Sequence, residues 1–333
     1  MSNEANNAEW FVIVNPNAGK RKGEKDWPEI SRILTAAKIN FSSVFTQHRI
    51  HAIRMARKYV ETGFRNIIVV GGDGTMNEVV NGIFTQARQP TKAIKVGMIP
   101  VGTGNDWCKM FGVPLDYQGA VDVITKGHTF LQDVAWVKFI QEGLEKNRFF
   151  ANMAGMGYDA MVAQKTNKQK DEGKAGKMSY FVNIFSSLFS FREAQTEVFV
   201  DGKEVLKAPV FTMNVGICKY NGGGMMQLPF AIPDDGELDV TIITQLSRFS
   251  VMRNVRKLYD GSFTRLRQVK TFRGEKVEIH SKPEIYMEAD GESLGHSPFK
   301  FGIIPKSLQI ITGKEMKITE TNGPEPLLTQ QAP

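Results

Sequence analysis

The sequence predicts an α/β protein in two parts: an N-terminal doubly wound parallel sheet and a C-terminal antiparallel, β-sandwich-like domain. In the first third of the chain, fully apolar strand-like runs alternate with stretches of helical periodicity, a pattern typical of a parallel sheet covered by helices on both faces. After about Asp133, alternating strand-like runs bounded by turn residues dominate instead. The length of 333 residues also favours two domains.

The N-terminal elements follow one another in strict alternation. The first is the apolar run WFVIVN, and the first helix shows apolar residues at helical spacing, at Ile30, Ile33 and Leu34. We predict strands over residues 10–15, 41–46, 66–70 and 93–99, and helices over 28–37, 50–61, 76–84 and 106–111.

The C-terminal part is predicted to be mostly strands. Their expected ranges are 133–140, 197–200, 210–217, 237–244, 268–272, 276–280, 285–289 and 307–312. One helix over 177–191 interrupts them. Its apolar stripe is expected to pack against the sheet rather than enter a membrane, and it consists of Phe181, Ile184, Phe185, Leu188 and Phe189.

Composition and charge narrow the function classes. The N-terminus resembles no secretory signal and no apolar run reaches eighteen residues, while Cys108 and Cys218 form no metal or redox motif, so we expect a soluble protein of a reducing cytoplasm. The net charge is +7, with nine Lys or Arg residues between Arg248 and Lys276. Such a patch attracts phosphates of a nucleotide, a nucleic acid or an anionic bilayer, although a solvated surface has the same composition. The tail over 319–333 is expected to be poorly ordered.

Three glycine-rich loops follow the first, third and fourth predicted strands: NPNAG at 15–19, GGDGT at 71–75 and GTGND at 102–106. Ligands of open α/β sheets bind outside the carboxyl ends of the strands, where all three loops are expected. Glycine allows backbone N–H groups to approach a phosphate, and the following helix adds its positive dipole end. One such loop is usually only a tight turn, but three in one domain indicate a phosphate site. No Walker A, HRD or DFG sequence occurs, which argues against P-loop ATPases and protein kinases.

Two aspartates, Asp73 and Asp106, stand inside these loops. A carboxylate there would repel a nucleotide unless a cation lay between them, and Mg²⁺ prefers one or two carboxylates plus phosphate oxygens. The alternative is a turn aspartate that bonds to its own backbone. In the second part, PDDGE at 233–237 and DGE at 290–292 read equally well as turns, and the residues alone do not make either one catalytic.

At these residues the sequence resembles the diacylglycerol kinase catalytic-domain family, in its bacterial branch, which is related to sphingosine and ceramide kinases. The matching segments run in order over nearly the whole chain: NPNAGKRKG (15–23), VVGGDGTMNEVVNGI (69–83), IPVGTGNDWCKMFGVP (99–114), NMAGMGYDAMV (152–162), PDDGELDV (233–240) and ADGE (289–292). The resemblance implies an active site in the cleft between the domains. It also implies that the chain returns to the first domain, so that residues 1–132 and 305–333 form the nucleotide domain and 133–304 the β-rich lipid-substrate domain.

The resemblance implies roles for single residues. Those expected to line the ATP site are Asn15, Gly19, Thr46, Gly72, Asp73, Gly74, Thr75, Met76, Asn77, Glu78 and Thr103. Asp290 and Glu292 are implied to lie beside the reacting hydroxyl, as base or metal contact, and Asp73 belongs with them as a catalytic residue. We favour Glu292 as the base without deciding between the two.

Metal sites are implied as well. Asp133 resembles an aspartate that joins Asp73 and Asp106 in a water-mediated magnesium network. The turn at 233–237 resembles a structural magnesium site, with Asp235 giving its carboxylate and Ile232 and Glu237 their carbonyls.

The expected function is therefore that of an ATP- and Mg²⁺-dependent lipid kinase acting on diacylglycerol or a related lipid at the cytoplasmic face of a membrane. The acceptor itself stays open, because no pattern in NGGGMMQ (221–227) assigns the residues that recognise the lipid. A sphingoid-base or ceramide kinase, a soluble-acceptor kinase of the NAD kinase type, and a non-catalytic ATP- or lipid-binding regulator are the alternatives. No nucleic-acid partner is expected, and base rates favour a homodimer.

Overall fold

The computed structural model describes residues 9–171, 182–183, 186–188, 190–313 and 315–316, and it confirms the predicted α/β class. Four parallel strands form the N-terminal half in the order β2-β1-β3-β4. Their bounds are β1 Trp10–Val14, β2 Phe41–Phe45, β3 Asn66–Gly71 and β4 Lys95–Pro100, and the helices between and after them are α1 Ala18–Lys25, α2 Trp27–Ala36, α3 His51–Glu61, α4 Asp73–Thr85, α5 Asp106–Phe111 and α6 Tyr117–Lys126.

The C-terminal half is antiparallel. Strands β7, β9, β8, β14, β16 and β15 pair in a closed ring, which leaves few free edges in the sandwich. The bounds are β5 Thr129–Gln141, β6 Leu144–Phe150, β7 Met153–Gly157, α7 Tyr158–Asp171, β8 Ala194–Val200, β9 Lys203–Gly216, β10 Tyr220–Asn221, β11 Met225–Met226, β12 Leu238–Thr244, α8 Arg248–Asn254, β13 Val269–Gly274, β14 Lys276–Lys282, β15 Tyr286–Ala289 and β16 Glu292–Ile311. Short 3₁₀ turns lie at Thr91–Ala93, Val255–Leu258 and Ser262–Arg265.

Strand β16 joins the two halves. Its first part pairs with β15 and β14, and its end runs parallel to β4, with Gln309 opposite Lys95. Strand β5 follows it antiparallel over most of its length. The predicted return of the chain to the first sheet is therefore present. The predicted domain boundaries, however, fall inside β5 and β16, both of which are continuous strands.

Several elements were absent from the sequence-based prediction. Helix α7 has almost no apolar periodicity in its sequence YDAMVAQKTNKQKD, and strand β7 is rich in glycine. The hairpin strand β6 and helix α6 also went unpredicted. The predicted helix over 177–191 lies largely outside the described residues; within it, 182–183, 186–188 and 190 are helical, and Leu188 is buried. The tail from 317 onward also lies outside them.

Within the part of the chain that the structure describes, no helix is both long and apolar enough to cross a membrane. The main hydrophobic core extends through both halves, from β1 to β16. A smaller cluster beside it includes Tyr158, Phe211, Phe263 and Val269.

Candidate active site

The three glycine loops meet at the carboxyl ends of β1, β3 and β4. A methyl group placed on Gly102 would lie 2.6 Å from the Cα of Gly72, so the second and third loops are in backbone contact. One placed on Gly19, whose φ is +61°, would lie 1.9 Å from the carbonyl oxygen of Val101. Only glycine fits these approaches, and the result is a cradle of bare backbone from three strands.

Helix α4 begins at Asp73 inside this cradle. Its N-cap is Gly72, which has no side chain. No N-cap side chain therefore covers the first N–H groups of this 13-residue helix. A helix N-terminus of this kind attracts phosphate through its N–H groups and its dipole. Beside it, Asn15 Nδ2 donates to Thr75 Oγ1 at 2.9 Å and ties the first loop to the helix.

Asp73 and Asp106 border one small space next to this N-terminus. A methyl group on Gly104 would lie 3.1 Å from Asp73 Oδ2 and 3.3 Å from Asp106 Oδ2. Backbone N–H groups of Trp107 and Asp106 donate to the Asp73 carboxylate at 3.1 and 3.3 Å. Those of Gly223 and Gly224, in the turn between β10 and β11, donate to Asp106 at 2.9 and 2.5 Å.

Two carboxylates that border the same small space, one half-buried and one buried, favour a cation between them. Burial raises the pKa of both, and the charge of Asp73 helps to raise the pKa of Asp106 to about 6. The buried Oδ1 of the neighbouring Asn105 has no hydrogen-bond partner in the described structure. One or two carboxylates are the protein ligands that Mg²⁺ takes when phosphate oxygens and water complete its shell, so these residues fit Mg²⁺.

The turn between β15 and β16 brings Glu292 to the same place. A methyl group on Gly74 would lie 2.6 Å from Glu292 Oε1, so this carboxylate stands over the first turn of α4. The second half of the chain therefore supplies an acid beside the glycine loops of the first half.

Asp290 has a different environment. Its carboxylate accepts four hydrogen bonds, from Asn77 Nδ2 at 3.0 Å and from the N–H groups of Ala151, Asn152 and Met153 at 2.9, 3.1 and 3.2 Å. Burial raises its pKa to about 6 against the effect of these donors. Because its oxygens are already engaged, Asp290 is suited to hold the cleft together rather than to accept a substrate proton.

Arg148 is a neighbour that sequence reasoning missed. Its Nε donates to Asn77 Oδ1 at 2.8 Å, and burial lowers its pKa while the charges of Glu292, Glu78 and Asp290 act in the opposite direction. It lies in the polar hairpin strand β6, whose sequence LEKNRFF carries no motif. Only the pairing of β6 with β5 brings this cation to the site.

The other residues that were predicted to line the ATP site lie in different environments. Glu78 accepts from the N–H groups of Ile50 and Ala52 at 2.9 and 3.0 Å, so its carboxylate caps helix α3. Met76 is buried in the core. Thr46 is buried at the end of β2, where its N–H donates to the Val14 carbonyl, and Thr103 is exposed in the third loop.

The structure places Asp133 with the acidic turn. Its oxygens accept from Gly236 N at 2.8 Å and Lys306 N at 2.6 Å, and its own N–H donates to the Pro233 carbonyl. None of these bonds reaches Asp73 or Asp106.

A guanidinium occupies the neighbourhood of the predicted structural magnesium site. Arg273 contacts Asp235 directly and lies 3.3 Å from Glu237 and 3.6 Å from Asp239, its partner across strands β12 and β13. Ile232, half-buried, precedes the turn. A divalent cation at these carboxylates would have to share them with Arg273.

A buried polar cluster under the cleft was also missed. Burial raises the pKa of Asp159 to about 6 and that of Glu288 to about 8. Asp159 accepts from Gln227 Nε2 at 3.1 Å, and Glu288 accepts from Asn221 Nδ2 at 3.0 Å. Acids within strand-like or helical runs carry no turn signal, and only their burial distinguishes these two.

Comparison with known proteins gives a family for each half. Residues 9–137 match the diacylglycerol kinase catalytic domain, and residues 152–312 match the YegS C-terminal NAD kinase beta sandwich-like domain. The chain is 28% identical over 310 residues to a diacylglycerol kinase of Staphylococcus carnosus, covering 93% of this chain and 96% of that one. It is 27% identical over 325 residues to that of Staphylococcus haemolyticus, covering 97% and 94%. A solved Bacillus anthracis structure shares the fold with a TM-score of 0.74 at 24% identity, over 94% of this chain and 98% of that one.

The matched catalytic domain and the kinase-named relatives define the class of protein as a phosphotransferase. The chain therefore contains a diacylglycerol kinase catalytic domain followed by a YegS-type C-terminal domain.

Proposed function

We propose that this protein is a lipid kinase that uses ATP and Mg²⁺ to phosphorylate the free hydroxyl of diacylglycerol or a closely related lipid. The observation that carries the proposal is the position of Glu292 Oε1 over Gly74, the residue that follows Asp73. A carboxylate able to take a hydroxyl proton would then act next to the glycine loops proposed to bind phosphate and the carboxylates proposed to bind a cation. Diacylglycerol is the first acceptor to test because the relatives from Staphylococcus carnosus and Staphylococcus haemolyticus are named diacylglycerol kinase.

The chain's own residues divide the work of the transfer. The loops at Gly19, Gly72 and Gly102 bind and orient the triphosphate, and Asp73 and Asp106 would hold Mg²⁺, which supplies charge neutralisation at the phosphates when bound. Glu292 takes the proton of the attacking hydroxyl. Asp290 and Asn77 fix the second half against helix α4, which keeps Glu292 in place.

The test is transfer of labelled phosphate from ATP to lipids in mixed micelles, with diacylglycerol, sphingosine, ceramide or no lipid present. We expect a Mg²⁺-dependent phospholipid product from diacylglycerol, lost in the Asp73→Ala variant. An Asp73→Ala variant as active as the wild type, or no lipid product at all, would overturn the proposal.

A kinase of a soluble acceptor is the second candidate, because the matched C-terminal domain is described as NAD kinase beta sandwich-like. Phosphate transfer to NAD in the same assay without lipid would favour it.

We also propose that the lipid kinase works as a peripheral protein at the cytoplasmic face of the membrane. We further propose that it is a homodimer, and equilibrium sedimentation would test this assembly.

A further inference from the structure

We propose that the basic platform, defined as residues 247–270, is the surface through which this protein docks on an anionic lipid bilayer. It consists of helix α8 and the two 3₁₀ turns Val255–Leu258 and Ser262–Arg265. The inference rests on the proposed function, because it describes how a lipid kinase would reach its membrane. Its evidence is separate, since none of these residues belongs to the phosphate cradle.

Two apolar side chains of the platform point into solvent. Phe249 is 73% exposed and Met252 is 50% exposed, and their spacing of three residues puts both on one side of α8. The opposite side is anchored, because Val251 and Leu258 pack against the cluster that contains Phe263. The exposed pair is therefore held outward by packing. Large apolar side chains rimmed by charge mark interaction sites rather than ordinary surface.

The charge around this pair is predominantly positive. Arg253, Arg256, Lys257, Arg265, Arg267 and Lys270 are all exposed, and Asp260 is the single acid between residues 247 and 270. Among the described ion pairs, none involves these six cations. A helical surface that combines cations with outward Phe and Met side chains fits the anionic interface of a bilayer, where cations meet headgroups and apolar side chains enter the acyl boundary.

The platform adjoins the candidate active site. A methyl group on Gly261 would lie 2.9 Å from Pro229 and 3.1 Å from the sulfur of Met226, so the platform packs on the end of the β10–β11 hairpin. The turn of that hairpin supplies the N–H groups of Gly223 and Gly224 that hold Asp106. Burial, together with the charge of Asp106, raises the pKa of Tyr259, which is consistent with this closeness. Docking through the platform would bring the cleft near lipid that never leaves the bilayer.

The experiment is sedimentation with vesicles of phosphatidylcholine alone or with 30% phosphatidylglycerol, with neither ATP nor acceptor lipid present. We expect the full chain to bind the anionic vesicles at least about tenfold more tightly. The double variant Phe249→Ser/Met252→Ser and the double variant Arg256→Gln/Lys257→Gln should each weaken that binding about tenfold or more.

The control variants carry the same kinds of substitution at exposed residues outside the platform. Leu115 and Leu144 are 62% and 59% exposed, so Leu115→Ser/Leu144→Ser removes comparable apolar surface, and Lys92→Gln/Lys203→Gln removes two exposed charges. Both should bind as the wild type does, and Phe249→Leu should retain binding. Thermal melting of each variant verifies folding.

The outcomes separate the two proposals. Wild-type binding that ignores phosphatidylglycerol, or equal binding by the platform variants and their controls, would overturn the docking surface. Binding that depends only on charge, with Phe249→Ser/Met252→Ser unaffected, would also overturn it and would point to a polyanionic partner such as nucleic acid. Vesicle binding through the platform in a protein that phosphorylates no lipid in micelles would leave the docking surface standing and remove the lipid kinase proposal.

Discussion

The two acids of the β15–β16 turn are only two positions apart, yet they differ in what their oxygens do. Asp290 accepts four protein hydrogen bonds, whereas Glu292 reaches over Gly74 toward the phosphate cradle. The position of Glu292 over Gly74 makes it the proposed proton acceptor, and the four bonds of Asp290 make that residue a positioning group in the proposed reaction.

Replacing Glu292 by Gln should lower turnover about 10²- to 10⁴-fold, because an amide cannot accept the hydroxyl proton. The affinity for ATP should change little. Turnover close to the wild-type value would exclude Glu292 as the base.

Asp290→Asn is expected to lower the stability of the fold. The amide would turn an NH₂ group toward buried backbone N–H donors, at a cost of about 1–3 kcal/mol in the free energy of unfolding. Urea denaturation of this variant beside the wild type tests the positioning role. A free energy of unfolding equal to the wild-type value would contradict it.

Asp159 should make the stability of the fold depend on pH. Folding raises the pKa of this buried carboxyl from 3.8 to about 6, so the folded chain holds its proton more tightly than the unfolded chain. The resulting stabilisation is complete below pH 3.8 and is lost as the pH rises to about 6. Between pH 4 and pH 7, Asp159→Asn should therefore gain up to about 3 kcal/mol relative to the wild type. Urea denaturation at both pH values measures this, and an unchanged difference would refute it.

At the scale of elements, the site depends on how closely the strand-end loops approach. Gly102→Ala would put a methyl group 2.6 Å from the Cα of Gly72 and force the two loops apart. We expect the KM for ATP to rise roughly tenfold to a hundredfold, because displaced backbone N–H groups no longer match the phosphates. Gly143→Ala in the β5–β6 turn is the control for backbone strain: its φ of +74° disfavours alanine, but nothing lies within 4 Å of the added methyl group, so the KM for ATP should not change. A KM equal to that of the control would show that the loop contact is dispensable.

The pairing of β12 with β13 places a cation where the sequence predicts a metal. Removing the guanidinium with Arg273→Met leaves Asp239 buried beside Asp235 and Glu237, which should cost roughly 3 kcal/mol. Millimolar Mg²⁺ should then raise the melting temperature of this variant more than that of the wild type or of the exposed control Arg267→Met. An equal response of all three would mean that Arg273 and a divalent cation do not compete for these carboxylates.

At the scale of the whole molecule, the two halves share strands and a core. Strands β5 and β16 run through both, and the main hydrophobic core extends from β1 to β16. We therefore expect a single cooperative transition in calorimetry, with equal calorimetric and van't Hoff enthalpies. Two separable transitions would show that the halves fold independently.

Some features of the fold and the site depend on local sequence patterns, and others depend on contacts between residues that are distant in the chain. The strands of the first half, the glycine loops and the acids Asp73 and Asp106 are visible in the sequence, because apolar runs, glycines and adjacent turn residues act within a few positions. Arg148 and Asp159 lacked such a signal. The first lies in a polar hairpin and the second in a helix without apolar periodicity, and their partners are distant in the chain.

The sequence by itself determined the α/β class, the order of the loops and the family, since these depend on periodicity and motif spacing. Only the tertiary structure decided that Glu292 reaches Gly74, that Asp290 is fully bonded, that Glu78 caps α3 and that Arg273 lies among the acids of the turn. The reason is physical: a side chain's role depends on which donors, charges and backbone groups surround it, and those neighbours come from segments up to some two hundred residues away, as with Asn77 and Asp290.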